Sequence, residues 1–215
     1  LPRSDVPELR CMQRQVLKML DGSASDVEPT FADKTYLPSG AKVSGADWER
    51  ILGAGHVYIW LDYSSVPQTG HYNDADANDD LMKAVNSIPA YIERSTHFFA
   101  VCPTVRHQDL TDVTCDFGTW LGRGWCRLEF FALLLARYNR LPAIVVKGGE
   151  TAPFMMVPQA VVSNLPGNGS FTCCARDHNI DGVEIPCDKI KIGAVIRVML
   201  TKRIQYHLGR EELHE

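Results

Sequence analysis

The stretch His97-Phe98-Phe99-Ala100-Val101-Cys102, closed by Pro103, sets the architecture of this chain. It is β-rich and apolar on both alternating faces, and a proline that cannot extend a ladder ends it. That is the pattern of a strand buried in a parallel sheet. Toward the C-terminus, a loop over 103–122 leads into the strongly helical segment Gly124–Tyr138. A further buried strand, Ala143–Val146, then stops at Gly148-Gly149. Toward the N-terminus, Asp79 and Asp80 open a helix through Leu81, Ala84, Val85 and Ile88, with Pro89 starting a fresh turn. Before it, the polar loop Ser64–Asn78 follows His56–Asp62, a second run apolar on two faces and read as a strand.

Farther out, Leu9, Met12, Val16, Leu17 and Leu20 recur at helical spacing, with Ser4 or Asp5 as cap and Gly22 as stop. Residues 22–46 read as a long loop and Asp47–Leu52 as a short helix. Residues 150–185 are loop-rich, with a short strand at Ser170–Cys174. A last helix runs from Pro186 to His207 with Ile190, Ala194, Val195, Val198 and Met199 inward. Strands alternating with helices predict an α/β sheet with right-handed crossovers. In such sheets ligands bind beyond the carboxyl ends of the strands, which selects Asp62–Gln68, Pro103–His107 and Lys147–Gly149.

Composition narrows the function classes. With 45% hydrophobic and 22% charged residues, the chain is an ordinary globular mixture rather than a disordered one. A net charge of -4 gives no electrostatic reason to expect nucleic acid or an anionic membrane as partner. The longest apolar run, Phe130–Ala136, is far short of the ~20 residues that span a bilayer. The chain divides into an N-terminal helix and long loop (1–55), a core (56–150) and a loop-rich segment with a C-terminal helix (151–215), all of one domain. It begins at Leu1 rather than Met, so it reads as a piece of a longer intracellular, cytoplasmic protein.

Seven cysteines suit reduced thiols, five of them beside apolar stretches where a thiol packs as a small hydrophobe. The rival is a zinc site from Cys174, His178 and Cys187, with Cys173 beside them. The spacing matches no paired Cys-x-x-Cys or Cys/His pattern, so free thiols and no metal are preferred. The sequon Asn168-Gly169-Ser170 conflicts with an intracellular setting. The acidic run Asn73–Asp80 starts like a calcium loop, but its sixth and twelfth places are Asp79 and Val85 rather than Gly and Glu. Gly148-Gly149 lacks the Lys-Ser/Thr of a phosphate loop, no Gly-x-Ser-x-Gly is present, and Cys126 on its apolar helix reads as a packed thiol.

Glu129 is the sharpest anomaly. On a wheel of ~100° per residue it falls among Trp125, Ala136, Leu133 and Cys126, inside an apolar arc. A carboxylate there loses hydration and its pKa rises, unless it pairs with an arginine such as Arg123 or Arg106. Asp62 ends a predicted strand and is followed by Ser64, Ser65 and Gln68, which suit hydrogen bonds to a ribose or phosphate. The same residues also suit a plain strand stop and turn cap around Pro67.

Trp125-Cys126-Arg127-Leu128-Glu129 resembles the Trp-Cys-x-x-Glu that opens the third helix of Toll/interleukin-1 receptor (TIR) domains. Tyr58–Asp62 resembles the second TIR strand with its terminal Asp, Leu81–Ser95 the helix ending in Ser, and Thr96–Pro103 the third strand. Trp60-x-Asp62-x-x-Ser65-x-Pro67-Gln68, Ser87-Ile88-Pro89-Ala90-Tyr91 and Arg123–Glu129 are similar to a divergent TIR-like group in algae and other protists. The likeness covers residues 56–147. It departs where Arg123-Gly124 stands in place of the family's Ser.

The resemblance implies a three-layer, flavodoxin-like parallel sheet flanked by helices, in the order 2-1-3-4-5. No first strand precedes the Leu9–Leu20 helix, so that central strand is missing or displaced, supplied upstream of Leu1 or by another segment. It implies NAD as substrate, needing no cofactor, cleaved at its nicotinamide–ribose bond. Glu129 would be the catalytic carboxylate, and Asp62, Ser64, Ser65, Gln68 and Trp125 the substrate contacts. The alternative it carries is a non-catalytic interaction or scaffold module, self-associating or bound to other proteins, as one subunit of a larger assembly.

Overall fold

A computed structural model describes residues 6–66, 75–107, 112–137, 142–149, 151–157, 164–180 and 182–211. The chain folds into two compact units, each gathered from three segments: Leu1–Tyr58, His97–Leu121 and Leu141–Val162 in the first, Ile59–Thr96, Gly122–Arg140 and Ser163–Glu215 in the second.

The first unit holds the sheet. Strands β1 (Glu28–Pro29), β2 (Phe98–Val101), β5 (Ala143–Val146) and β6 (Phe154–Met156) lie in the order β1-β6-β5-β2. β2 and β5 run parallel, with Phe98 opposite Ala143 and Val101 opposite Val146, and Cys102 N–H donates to the Val146 carbonyl at 2.8 Å. β6 is antiparallel to β5, and β1 parallel to β6. Pro29, which has no N–H to donate, sits on an edge strand, where the ladder tolerates it. All four β5 residues are buried, as an uncharged strand with neighbours on both sides requires.

The period-two alternation sorts the core. Ile144, Val146 and Phe99 face Cys11, Met19 and Trp48, the last two from α1 (Pro7–Leu20) and α2 (Gly45–Gly53). Val145, Ala100 and Cys102 face the other way, toward Phe117 and Trp120 of α5 (Phe117–Gly122). Sheet between helices is the mixed α/β class read from the sequence. Ser44 and Asp47 cap α2 reciprocally: Asp47 N–H donates to Ser44 Oγ at 3.2 Å and Ser44 N–H to Asp47 Oδ2 at 3.0 Å. Asp33, almost wholly buried, accepts from Val157 N–H at 3.0 Å and so holds the end of β6.

The second unit is helical. α6 (Gly124–Leu135) buries Cys126, Leu128, Phe130, Ala132 and Leu133, and packs against α4 (Ala75–Arg94) and α8 (Asp188–Glu211). Beyond the end of α6, the backbone N–H, Nε and Nη2 of Arg137 all donate to the Glu93 carboxylate, at 2.9, 2.7 and 2.8 Å. This fork ties that end to α4.

Several expectations are corrected. His56–Leu61 belongs to no sheet among the described residues: Val57, Tyr58 and Ile59 are exposed, Tyr58 by 90%, and Trp60 stacks on the Tyr91 ring instead of joining a ladder. Asp62–Ser65 is a short helix, α3, rather than a strand end. β2 and residues 56–62 therefore do not pair, and the far edge of β2 carries no strand among the described residues. The order of the first, second and third strands taken from the family does not appear. The helix expected to restart at Pro89 runs through it as one piece. Thr172–Ala175 is a helical turn, α7, where a strand was expected. β6, β3 (Val105–Arg106) with β4 (Thr114–Cys115), and β7 (Asn179–Ile180) with β8 (Val183–Glu184) lie in stretches read as loop. On α8 the inward residues are Ile192, Val195 and Met199, whereas Ile190, Ala194 and Val198 face out.

The N-terminus of α6 is set by a close approach. A β-carbon on Gly124 would fall inside the Phe171 ring, Gly124 N–H donates to the Ser170 carbonyl at 3.0 Å, and Ser170 N–H donates to the Gly122 carbonyl at 2.8 Å. Gly124→Ala should destabilise the protein by about 1–3 kcal/mol through overpacking, read as a lowered thermal midpoint. An unchanged midpoint would show that Phe171 can move aside.

Candidate functional site

The second unit brings Glu129 of α6 and Asp62, the first residue of α3, together: their carboxyl groups share a hydrogen bond. Burial first, and the Asp62 charge second, push Glu129 up to about 8, while nearby Arg123 pulls it down only in part. Asp62 is also raised, by burial on its Glu129 side, although its outer part is exposed. At neutral pH Glu129 is therefore the protonated donor and Asp62 the acceptor, one charge shared by two carboxyls. Glu129 keeps some solvent contact, so the pair is screened at its rim rather than sealed. Arg123 is exposed and is the minor partner here, unlike the internal ion pair weighed from the sequence.

The remaining expected contacts are arranged differently. Ser64 and Ser65 are exposed on α3, and the Ser64 hydroxyl donates to the Leu61 carbonyl at 3.1 Å. The Trp125 indole N–H donates to Asp188 Oδ2 at 3.1 Å, linking α6 to the start of α8. Gln68, Pro67 and the beginning of the acidic run lie outside the described residues, and Ala75–Asp80 opens α4.

Two further features stand apart from the carboxyl pair; the first was not singled out from the sequence, and the second gathers the four residues weighed there as a rival zinc site. In the first unit, a cleft of about 500 Å³ opens beyond the carboxyl ends of β2 and β5, bordered by Pro103 and Gly148-Gly149. Arg10, Arg14 and Lys18, at four-residue spacing on α1, line it, and among the described residues no carboxylate does. Such a lining suits an anionic ligand. The i, i+4, i+8 spacing of these cations was the available signal.

In the second unit Cys173, Cys174, His178 and Cys187 bring their ligating atoms within 4.8 Å of one another. The Cys187 thiol is drawn down to about 7, chiefly by the Lys189 N–H and also by His178, while burial and the neighbouring thiols push Cys174 up to about 11. Asp177 and His178 both adopt positive φ, 49° and 56°, a conformation that non-glycine residues hold only when their surroundings enforce it.

No helix among the described residues is long and apolar enough to cross a membrane. No protein-family model, curated protein or solved structure matches the chain.

Because Glu129 rises from 4.5 to about 8 on folding, the folded state binds the extra proton between those values. Its stabilising contribution is full below about pH 4.5 and is lost as pH climbs through about 8, with a slope of at most about 1.4 kcal/mol per pH unit. Glu129→Gln mimics the protonated acid and keeps a donor toward Asp62. Urea unfolding from pH 5 to 8.5 should show the variant gaining on the wild type as pH rises. Parallel profiles would mean that no proton is held there.

Proposed function

We propose that this chain is a TIR-like domain that cleaves NAD at the nicotinamide–ribose bond, as a glycohydrolase or cyclase. The observation that carries the reading is the proton-sharing Asp62–Glu129 pair, with Glu129 on the helix that opens with Trp-Cys-Arg-Leu-Glu. The glycosidic C–N bond breaks with its electron pair leaving on nicotinamide, which departs neutral, and positive charge develops at C1′ of the ribose. The single negative charge of the pair stabilises that charge, and the protonated partner orients a ribose hydroxyl. Water adds at C1′ and gives its proton to the pair, yielding ADP-ribose; attack by a nucleophile within the substrate gives a cyclic product instead.

Purified protein should release nicotinamide from NAD, assayed over a range of concentrations because neighbouring protomers complete the site in the TIR enzymes it resembles. Glu129→Gln should lower the rate at least ~100-fold with the fold intact. Activity should fall above about pH 8, where the pair loses its shared proton, and Asp62→Asn should shift that limb. Wild-type protein that neither binds nor cleaves NAD at any concentration would sink the enzymatic reading.

The second reading is a non-catalytic interaction module, and α8 favours it. Ile190 and Ile204 on its outward side are 73% and 58% exposed, with Val198, Leu200 and Leu208 beside them. Sedimentation of wild type against Ile190→Lys/Ile204→Lys separates the readings: lost association with retained NAD cleavage assigns the stripe to assembly alone.

A further inference from the structure

We propose that Cys173, Cys174, His178 and Cys187 bind one zinc ion in a closed, structural site. A tetrahedron with Zn–S near 2.3 Å and Zn–N of about 2.0–2.1 Å has S···S edges of about 3.8 Å and S···N edges of about 3.6 Å. The observed separations are 4.0 Å between the Cys173 and Cys174 sulfurs, 3.8 Å between those of Cys174 and Cys187, and 3.6 Å from Cys174 Sγ to His178 Nε2. All three run from Cys174, and the remaining pairs also lie within 4.8 Å, so the four ligand atoms are gathered at the scale of one coordination sphere. A disulfide would demand an S–S distance near 2.05 Å and would use only two of the four groups.

The surroundings suit thiolate ligands. Asp188 N–H points at Cys173 Sγ from 3.4 Å, and Cys187 immediately precedes α8, so backbone N–H groups reach both sulfurs. Such outer contacts hold ligand sulfurs in place and offset their charge. The chain between the second and last ligands is the β7–β8 hairpin, entered through the two left-handed residues Asp177 and His178. A metal gives that conformation a reason, because the turn delivers the imidazole to the sulfurs. Binding displaces three thiol protons to solvent and leaves neutral imidazole as the fourth ligand. All four positions are then filled by protein, which leaves none for a catalytic water.

The site has a mechanical role. Asp188, adjacent to Cys187, accepts from Trp125, and Phe171, two residues before Cys173, packs against Gly124. Zinc would thus clamp α7 to the start of α8, the two elements that hold the N-terminus of α6.

The test uses the 215-residue chain purified under reducing conditions without chelator. Elemental analysis should find about one zinc per chain. Cobalt(II) added to protein freed of zinc should give the visible bands and thiolate charge-transfer absorption of a tetrahedral, sulfur-rich site. Cys187→Ser and His178→Ala should each weaken zinc binding at least ~10-fold, while Cys115→Ser, outside the cluster, should bind as wild type. Chelation should lower the thermal midpoint by roughly 10 °C. Absence of zinc together with a featureless cobalt titration of the wild type would overturn the proposal, whatever the variants do. So would iron in place of zinc, or a Cys174–Cys187 disulfide mapped in freshly prepared protein.

Discussion

A phenylalanine ring lying where residue 124 would need its β-carbon is the constraint on which the second unit turns. Phe171 accepts only glycine opposite it, and the Gly122–Ser170–Gly124 hydrogen bonds fix the chain on either side. α6 begins at that point with one permitted position. The next residue, Trp125, is anchored to Asp188, and one turn beyond it Glu129 meets Asp62. A shift of the first turn by a fraction of an ångström would be felt at the carboxyl pair, because close-packed interiors transmit displacement rather than absorb it. The glycine that stands before Trp125 thus has a local cause. The backbone at Gly124 is too near Phe171 for any side chain.

How much of this was legible depends on whether the information was local. β5 was readable because Ala143–Val146 is uncharged, short and bounded by turn residues, and both of its faces are in fact buried. His56–Asp62 has the same character and is not a strand, because β-propensity describes fitness for a pleated, covered surface and cannot supply the neighbour. β6 is three residues next to Pro153, too short for any alternation to register. α8 is apolar on both sides, so periodicity identified the helix and placed Val195 and Met199 correctly inward, but it put Ile190 and Val198 beside them where the structure buries Ile192.

The candidate sites divide along the same line. A helical wheel flagged Glu129 as misplaced, because the anomaly lies within one helix. Its partner comes from another segment, so the sequence could name Asp62 as a candidate but not the contact. The Cys/His group escaped the familiar spacings because two ligands are adjacent and a hairpin folds the last one back. What joins those four residues is tertiary, and the left-handed pair at Asp177 and His178 is invisible to composition.

The two units are interleaved: the chain passes between them five times, at 58/59, 96/97, 121/122, 140/141 and 162/163. Neither is a contiguous stretch, so no single cut frees one of them and neither can be expressed alone as an unbroken fragment. During synthesis β1 waits for β6, more than half the chain later, before it has anything to pair with. Closure of that sheet is a long-range event whose entropic cost precedes its reward, a topology that folds slowly and late. Until Met156 has emerged, the apolar sides of β2 and β5 lack their full cover. Over that interval the nascent chain exposes apolar strand surface of the kind chaperones bind.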